Sequence, residues 1–319
     1  MSNTTGLNFR DATRQQAKAS ILLEGLTGTG KSGLALVLAK ALADGDMQKV
    51  FAADTENKSL DLFEGIRFNT GEVCKAFKKV DLLSINGYSP SNYLYCKDMA
   101  VKSGAKVFIN DSITHMWQRE GGVLDIVEKV KQKNPNGYTA WGDDSVVKEK
   151  NGIYETVRDN RVHVISTVRV KEKFDVVYDT ETGKTKPVSI GEQAIQMPDL
   201  KYEPDLVLYM EHPGNADGTP PIATVIKSRY VIFKEGESYK FTEDLIKGLV
   251  SYLKEGADPA ELLERQKAEI LKDAKEILDA DASKRTMLPI ILEQQHLKGK
   301  KLAELDLNSL RIIIGILLN

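Results

Sequence analysis

Gly25-Leu26-Thr27-Gly28-Thr29-Gly30-Lys31-Ser32 matches the phosphate-loop pattern G-x-x-x-x-G-K-[ST] at every defined position. Ile21-Leu22-Leu23 in front of it is a short apolar run of strand type. Gly33 to Leu42 behind it reads as a buried helix. A strand feeding a glycine-rich turn that opens a helix is an arrangement that holds phosphate. The glycines let backbone N–H groups curl round the anion, and the helix N-terminus adds partial positive charge. Lys31 is expected to reach the outer phosphates, and the Ser32 hydroxyl to sit on Mg²⁺.

Outward from the loop, strands and helices alternate. Val50–Ala53 reads as a second strand and Val80–Ile85 as a third. Ser89 caps a helix running to about Lys102, with Pro90 in its first turn. Lys106–Asp111 is a strand ending in a carboxylate, Val123–Lys131 and Asp144–Asn160 are helical, and Val162–Val168 is a strand. This alternation predicts a mostly parallel sheet covered on both faces. After Arg169 the character changes. Phe174–Tyr178 and Lys186–Ile190 flank a polar tip, Asp179–Lys184, and predict a β-hairpin. Asp205–Met210 and Ala223–Ile226 are two further strands. Asp258-Pro259-Ala260-Glu261 opens a helix on which Leu263, Ile270, Ala274 and Ile277 recur at helical spacing.

Composition narrows the function classes. The net charge of −2 over 319 residues excludes a global basic field, so contact with nucleic acid would need a local patch. Two cysteines without CxxC spacing predict a reducing, cytoplasmic setting without a disulfide framework. The longest apolar run, Ile312–Leu318, is interrupted by Gly315 and is too short to span a bilayer, so no membrane is expected as a partner. A buried terminal helix is the reading for it.

Nucleotide hydrolysis needs more than a loop. It needs a carboxylate near the metal and a group that positions water. Asp111 closes an apolar strand and is the candidate metal acid, with Ser32. Ser112 follows it, so a glutamate directly after the metal acid is missing, and the base must come from another strand. Glu56, just past the strand Val50–Ala53, is the candidate, because ligand crevices of parallel sheets lie outside the carboxyl ends of the strands.

The segment Val50 to Asp61 resembles the part of RecA-like recombinases that carries their catalytic glutamate, and the order phosphate loop, glutamate strand, aspartate strand is similar to theirs. Thr224-Val225-Ile226-Lys227-Ser228-Arg229 resembles their strand with two basic residues. The overall likeness is to compact RecA-like ATPases of bacteriophages, and covers about residues 18–235. It implies an α/β RecA-like P-loop NTPase core with a mostly parallel sheet, to which the residue pattern adds a β-hairpin insertion and a helical C-terminal region. It further implies ATP and Mg²⁺ as ligands, a homo-oligomer in which Lys227 and Arg229 reach the neighbour's nucleotide, and work on single-stranded DNA in recombination or annealing, in a bacterial host's cytoplasm if phage-encoded. The family senses the γ-phosphate near Thr167, usually through a Gln that this chain lacks there. The hairpin, with Arg169, Lys171, Lys173, Lys184 and Lys186, occupies roughly the place of a DNA-binding loop, and Trp117, Tyr138 and Trp141 are candidates for base stacking. The expected division is a lead-in over 1–18, the ATPase core over 19–241 and a helical region over 242–319. A small-molecule or nucleoside kinase, and a nucleotide-switched assembly or packaging protein, share the phosphate loop and remain alternatives.

Overall fold

The computed structural model describes residues 12–68, 73–82, 87–133, 139–179, 184–211 and 220–318. They form two compact units: residues 17–253, and residues 254–319 together with the N-terminal segment up to Gln16.

The larger unit is built on one sheet. The strands are β1 (Ser20–Gly25), β2 (Val50–Asp54), β3 (Lys78–Asp81), β4 (Val107–Asp111), β5 (His163–Asp179), β6 (Lys184–Ala194), β7 (Leu206–Met210), β8 (Ile222–Ser228) and β9 (Ser238–Lys240). Their order is β3-β2-β4-β5-β1-β7-β8-β9, with β6 paired to β5 off this path. The pairs from β3 to β7 are parallel, and β7-β8-β9 are antiparallel. This is an α/β RecA-like P-loop fold. The parallel strands are nearly continuous apolar runs because helices bury both faces. On one face lie α1 (Lys31–Leu42) and α6 (Glu243–Lys254), which bury Leu34, Leu38, Leu249 and Leu253 with Ile21, Leu23 and Ile109. On the other lie α2 (Pro90–Lys102), α4 (Val123–Lys133) and α5 (Asp144–Val157), joined by the short α3 (Thr114–Gln118); they pack Tyr93, Val127 and Ile153 against Leu22, Phe108 and Val164. Ser89 caps α2 and Asp143 caps α5 through their side chains.

Several boundaries differ from the sequence reading. The third strand occupies Lys78–Asp81, earlier than Val80–Ile85, whose residues 83–85 lie outside the described ones. The division between units falls after Leu253 rather than after residue 241, because Ile246, Leu249 and Leu253 of α6 are buried in the core of the larger unit. The lead-in divides too: Gln15 pairs with Ala257 in the smaller unit. The hairpin grows directly out of the sheet. Its first strand is the outer half of β5, which runs unbroken out of the parallel sheet; its tip, 180–183, lies outside the described residues.

The smaller unit holds α7 (Pro259–Ala280), α8 (Ala282–Gln294) and α9 (Leu307–Leu318) around a core of Ile291, Leu305, Leu310, Ile313 and Leu317. The apolar run Ile312–Leu318 is thus half of a terminal helix with one buried stripe. No helix among the described residues is long and apolar enough to cross a membrane.

Candidate active site around the phosphate loop

The loop between β1 and α1 is shaped by its glycines. A Cβ on Gly25 would stand 2.8 Å from Thr29 Oγ1 and 3.0 Å from the Met210 carbonyl oxygen, so the chain passes there only without a side chain. Gly30 caps α1 at φ 85°, a left-handed conformation that glycine adopts without strain. Thr29 Oγ1 donates to the Leu26 carbonyl, and Lys31 Nζ donates to the carbonyls of Gly25 (2.9 Å) and Leu26 (2.7 Å). Burial lowers the Lys31 pKa; the Asp111 charge opposes this and the Arg169 charge adds to it.

The parallel pairing of β2, β4 and β5 brings the remaining groups to the same end of the sheet. Ser32 Oγ donates to Asp111 Oδ2 at 2.6 Å, and Thr167 Oγ1 donates to Asp111 Oδ1. Burial raises the Asp111 pKa, and the bonds from Ser32 and Thr167 pull it back down. The Asp111–Ser112 peptide bond is cis.

Asp54 ends β2 with its carboxylate wholly buried. It accepts from the backbone N–H groups of Glu56 (2.8 Å) and Leu60 (3.2 Å), folding the segment that carries Glu56 over the strand ends. Thr55 ties that segment to the aspartate strand, since its Oγ1 accepts from Ser112 N at 2.8 Å and its N–H donates to the Asp111 carbonyl. Glu56 Oε1 then accepts from Ser112 Oγ and from Arg169 Nε, each at 2.9 Å, and Glu56 Oε2 pairs with the Arg169 guanidinium.

Glu56, Lys31, Ser32, Asp111, Thr167 and Arg169 line one cavity of about 560 Å³ with Thr27, Gly28 and Gly30. Its apolar wall is Leu62, Phe63 and Ile66, and Ser59 Oγ, buried without a hydrogen-bond partner, lies beside it. The wall went unread in the sequence. Leu62 and Ile66 are exposed apolar residues in a polar stretch, and that was the available signal. The hydroxyl and carboxylate oxygens of Ser32 and Asp111 are the hard donors that Mg²⁺ takes, so the residues present fit that ion.

Arg169 was read as part of a basic hairpin. It instead points back into this cavity. Lys171 and Lys173 are exposed, while the side chains of Lys184 and Lys186 lie outside the described ones. Trp117 and Trp141 stack on each other, with ring centroids 6.2 Å apart, and Tyr138 lies outside the described residues.

Lys227 and Arg229 are not brought to the cavity of their own chain. β8 runs antiparallel to β7, so both lie at the amino ends of the parallel strands, the edge opposite the phosphate loop. The resemblance implied that these two cations reach a neighbour's nucleotide. The fold supplies local partners: Lys227 Nζ donates to the carbonyls of Tyr202 and Pro204, while Arg229 pairs with Asp205 at 3.0 Å and reaches the Tyr202 carbonyl.

Next to the loop, burial pushes the Glu24 carboxyl from 4.5 up to about 7, against the opposing charge of Lys201. Its folded pKa lies above the unfolded one. The contribution to stability is therefore complete below about pH 4.5 and is lost as pH rises through 7. Glu24→Gln should stabilise the protein at alkaline pH by roughly 1–3 kcal/mol, with the gain shrinking toward pH 4. Urea unfolding of both proteins across this range measures it; a gain independent of pH would show that Glu24 is not the group titrating.

Among known proteins, no curated sequence matches. A KaiC-like protein of the hyperthermophilic archaeon Pyrococcus horikoshii OT3 is similar in structure, with a TM-score of 0.38 and 15% identity over 70% of this chain and 85% of that one. A model of the AAA domain matches residues 17–240, which hold the whole phosphate-loop cavity, and the chain belongs to the AAA domain family.

Proposed function

We propose that the chain binds Mg·ATP in this cavity and hydrolyses it, with Glu56 as the base that takes a proton from water. The observation that carries the reading is the convergence on one cavity of Lys31, the Ser32–Asp111 pair and a carboxylate from a separate strand. The loop amides and Lys31 hold the phosphates, and the wall of Leu62, Phe63 and Ile66 offers the base an apolar face. Ser32 and Asp111 would hold Mg²⁺, which when bound offsets the charge on the phosphate oxygens. Thr167 fixes the Asp111 carboxylate, and Asp54 and Thr55 fix the segment bearing Glu56. A kinase would transfer the phosphoryl group to an acceptor hydroxyl. A carboxylate beside the phosphates serves water equally, so the absence of an acceptor-dependent product is the discriminating result.

The finer reading is work on single-stranded DNA, in recombination or annealing of the bacteriophage kind. It is supported by the resemblance of the Val50–Asp61 segment and by the exposed Lys171 and Lys173 on a hairpin rooted at the cavity. ATPase rate with and without single-stranded DNA tests it. Stimulation is expected, and DNA affinity should fall steeply with salt as bound counterions are released. Replacing Lys171, Lys173, Lys184 and Lys186 with Ala should flatten that slope. Unchanged affinity and slope would remove the hairpin from the interface.

Assembly as a homo-oligomer is part of this proposal. Lys227 and Arg229 lie at the far edge of the sheet from their own phosphate loop, so service to a nucleotide would have to be in a neighbour. Arg229→Ala should then cripple hydrolysis without weakening ATP binding, and mixing it with Lys31→Ala should restore part of the activity. One mixed interface joins an intact loop to an intact arginine. A co-assembled mixture as inactive as its components would leave the pair with its local role on Tyr202, Pro204 and Asp205.

A further inference from the structure

The chain between Glu56 and the apolar wall of the cavity is bent against its preference. Asn57 (φ 53°) and Lys58 (φ 63°) are consecutive non-glycine residues in the left-handed region. A Cβ crowds the following carbonyl there, so the conformation persists only where surrounding contacts impose it. The bend leads into the short 3₁₀ helix Ser59–Phe63, whose Leu60 is fully buried. Glu56 and the wall residues Leu62 and Phe63 thus share one stretch of backbone.

The contacts that impose the bend converge on one ammonium. Asp54 accepts from backbone N–H groups on both sides of the bent pair, Glu56 before it and Leu60 after it. Its carboxylate is wholly buried, and a buried charge is held only when it is paired. Lys79 provides the cation from β3, the edge strand of the sheet. In the β2–β3 register Lys79 stands opposite Ala52 and Asp81 opposite Asp54, so Lys79, Asp81 and Asp54 rise from one face. Lys79 Nζ lies 3.7 Å from Asp54, 3.1 Å from Asp61 and 2.5 Å from Asp81. An ammonium has three N–H donors, and here it has three carboxylates round it. Asp61 belongs to the 3₁₀ helix, so Lys79 ties the end of β2 to the far side of the bend. The Lys79 side chain is 15% exposed, which leaves little solvent to screen these pairs. Burial raises the Asp54 pKa, the Leu60 N–H and the Lys79 charge lower it, and the charges of Asp81 and Asp61 raise it. Without the ammonium, the three carboxylates repel one another across the bend.

We propose that Lys79 is a positioning residue for hydrolysis, its ammonium clamping the bent segment so that Glu56 and the apolar wall face the nucleotide together. This rests on the reading of the cavity as an ATP-hydrolysing site. Lys79 is not among the residues that line the cavity, and it acts through Asp54 and Asp61. Its loss leaves the phosphate loop as it is and releases the carboxylate from its place.

The test uses the full chain. Lys79→Met keeps an unbranched apolar stem and removes the charge. Single-turnover hydrolysis of ATP should fall by about 10- to 100-fold, the loss expected when a catalytic group shifts by about 1 Å. ATP affinity, held by the loop amides and Lys31, should stay within about fivefold, so the loss lies in turnover and not in binding. Lys79→Arg keeps the charge and should recover most of the rate. Amide hydrogen exchange between Glu56 and Phe63 should quicken in Lys79→Met and not in Lys79→Arg. Asp61→Asn reaches the same clamp from its exposed side and decides the matter if Lys79→Met fails to fold. It should slow hydrolysis by about two- to fivefold and quicken the same amides. Wild-type turnover in Lys79→Met overturns the proposal, as does a loss of rate without faster exchange between Glu56 and Phe63. Where Lys79→Met does not fold, unchanged turnover and exchange in Asp61→Asn overturn it. Lys31→Ala separates this failure from that of the cavity reading. If it binds ATP as the wild type does, the cavity itself is misread. If it loses ATP while Lys79→Met turns over normally, only the clamp falls.

Discussion

Lys31→Ala should abolish nucleotide binding at micromolar protein and bring hydrolysis to background. The expectation follows from what the ammonium does in the loop. It is half-buried, it bonds the carbonyls of Gly25 and Leu26, and it faces the cavity that Asp111 also lines. An alanine there takes away the one lysine charge that lines the cavity among the described residues, where the proposed nucleotide would bring three or four negative charges. The loop amides and the N-terminus of α1 remain, and their partial charges are worth far less than a full ammonium. The fold should survive, since the Lys31 carbonyl bonds are formed at a partly exposed position rather than in the core. Titration calorimetry and phosphate release measure the outcome. Turnover within tenfold of wild type, in a protein that melts normally, would show that another site does the hydrolysis.

Glu56→Gln separates binding from chemistry. The amide keeps size and shape but cannot accept a proton from water, so hydrolysis should fall by about 10²–10⁴-fold. ATP binding should be retained or improved. The structure adds a check on this substitution. Asp54 holds the Glu56 backbone N–H and Thr55 holds the Ser112 N–H, so the segment keeps its course whatever the Glu56 side chain is. A loss of activity then reports the carboxylate and not a displaced loop. Single-turnover hydrolysis of bound ATP is the measurement. If Asp111→Asn is inactive while Glu56→Gln turns over normally, the base is elsewhere, and the carboxylate pair with Arg169 is structural.

The phosphate loop, the apolar strand that precedes it and the carboxylates Glu56 and Asp111 at strand ends were all legible along the chain. Each is a local signal: a glycine spacing that only a tight turn uses, an apolar run of strand length, an acid where that run stops. Ser89 and Pro90 announced α2 for the same reason, because a cap acts on backbone groups within one turn. Even the hairpin showed, from two β-rich runs round a polar tip.

Partners were not legible, because partners are chosen by strand order and direction. Nothing local says that β5 lies between β4 and β1, yet this order puts Thr167 on Asp111 and Arg169 on Glu56. Arg169 reads in sequence as one more basic residue of a charged hairpin, and it takes the register of two sheets to turn it inward. Lys227 and Arg229 read as two basic residues of one strand, and only the reversal of β8 sets them beside the Tyr202 and Pro204 carbonyls and Asp205. The helix Glu243–Lys254 was read as the start of another region, because amphipathic spacing reports that one face is buried but not against what; its leucines close the core of the larger unit. The sequence by itself determined the phosphate loop and the strand-end acids, since both are written in contiguous residues. Only the tertiary structure decided which side chains meet around them, since Glu56 and Arg169 lie 113 positions apart and Asp111 and Thr167 lie 56 apart.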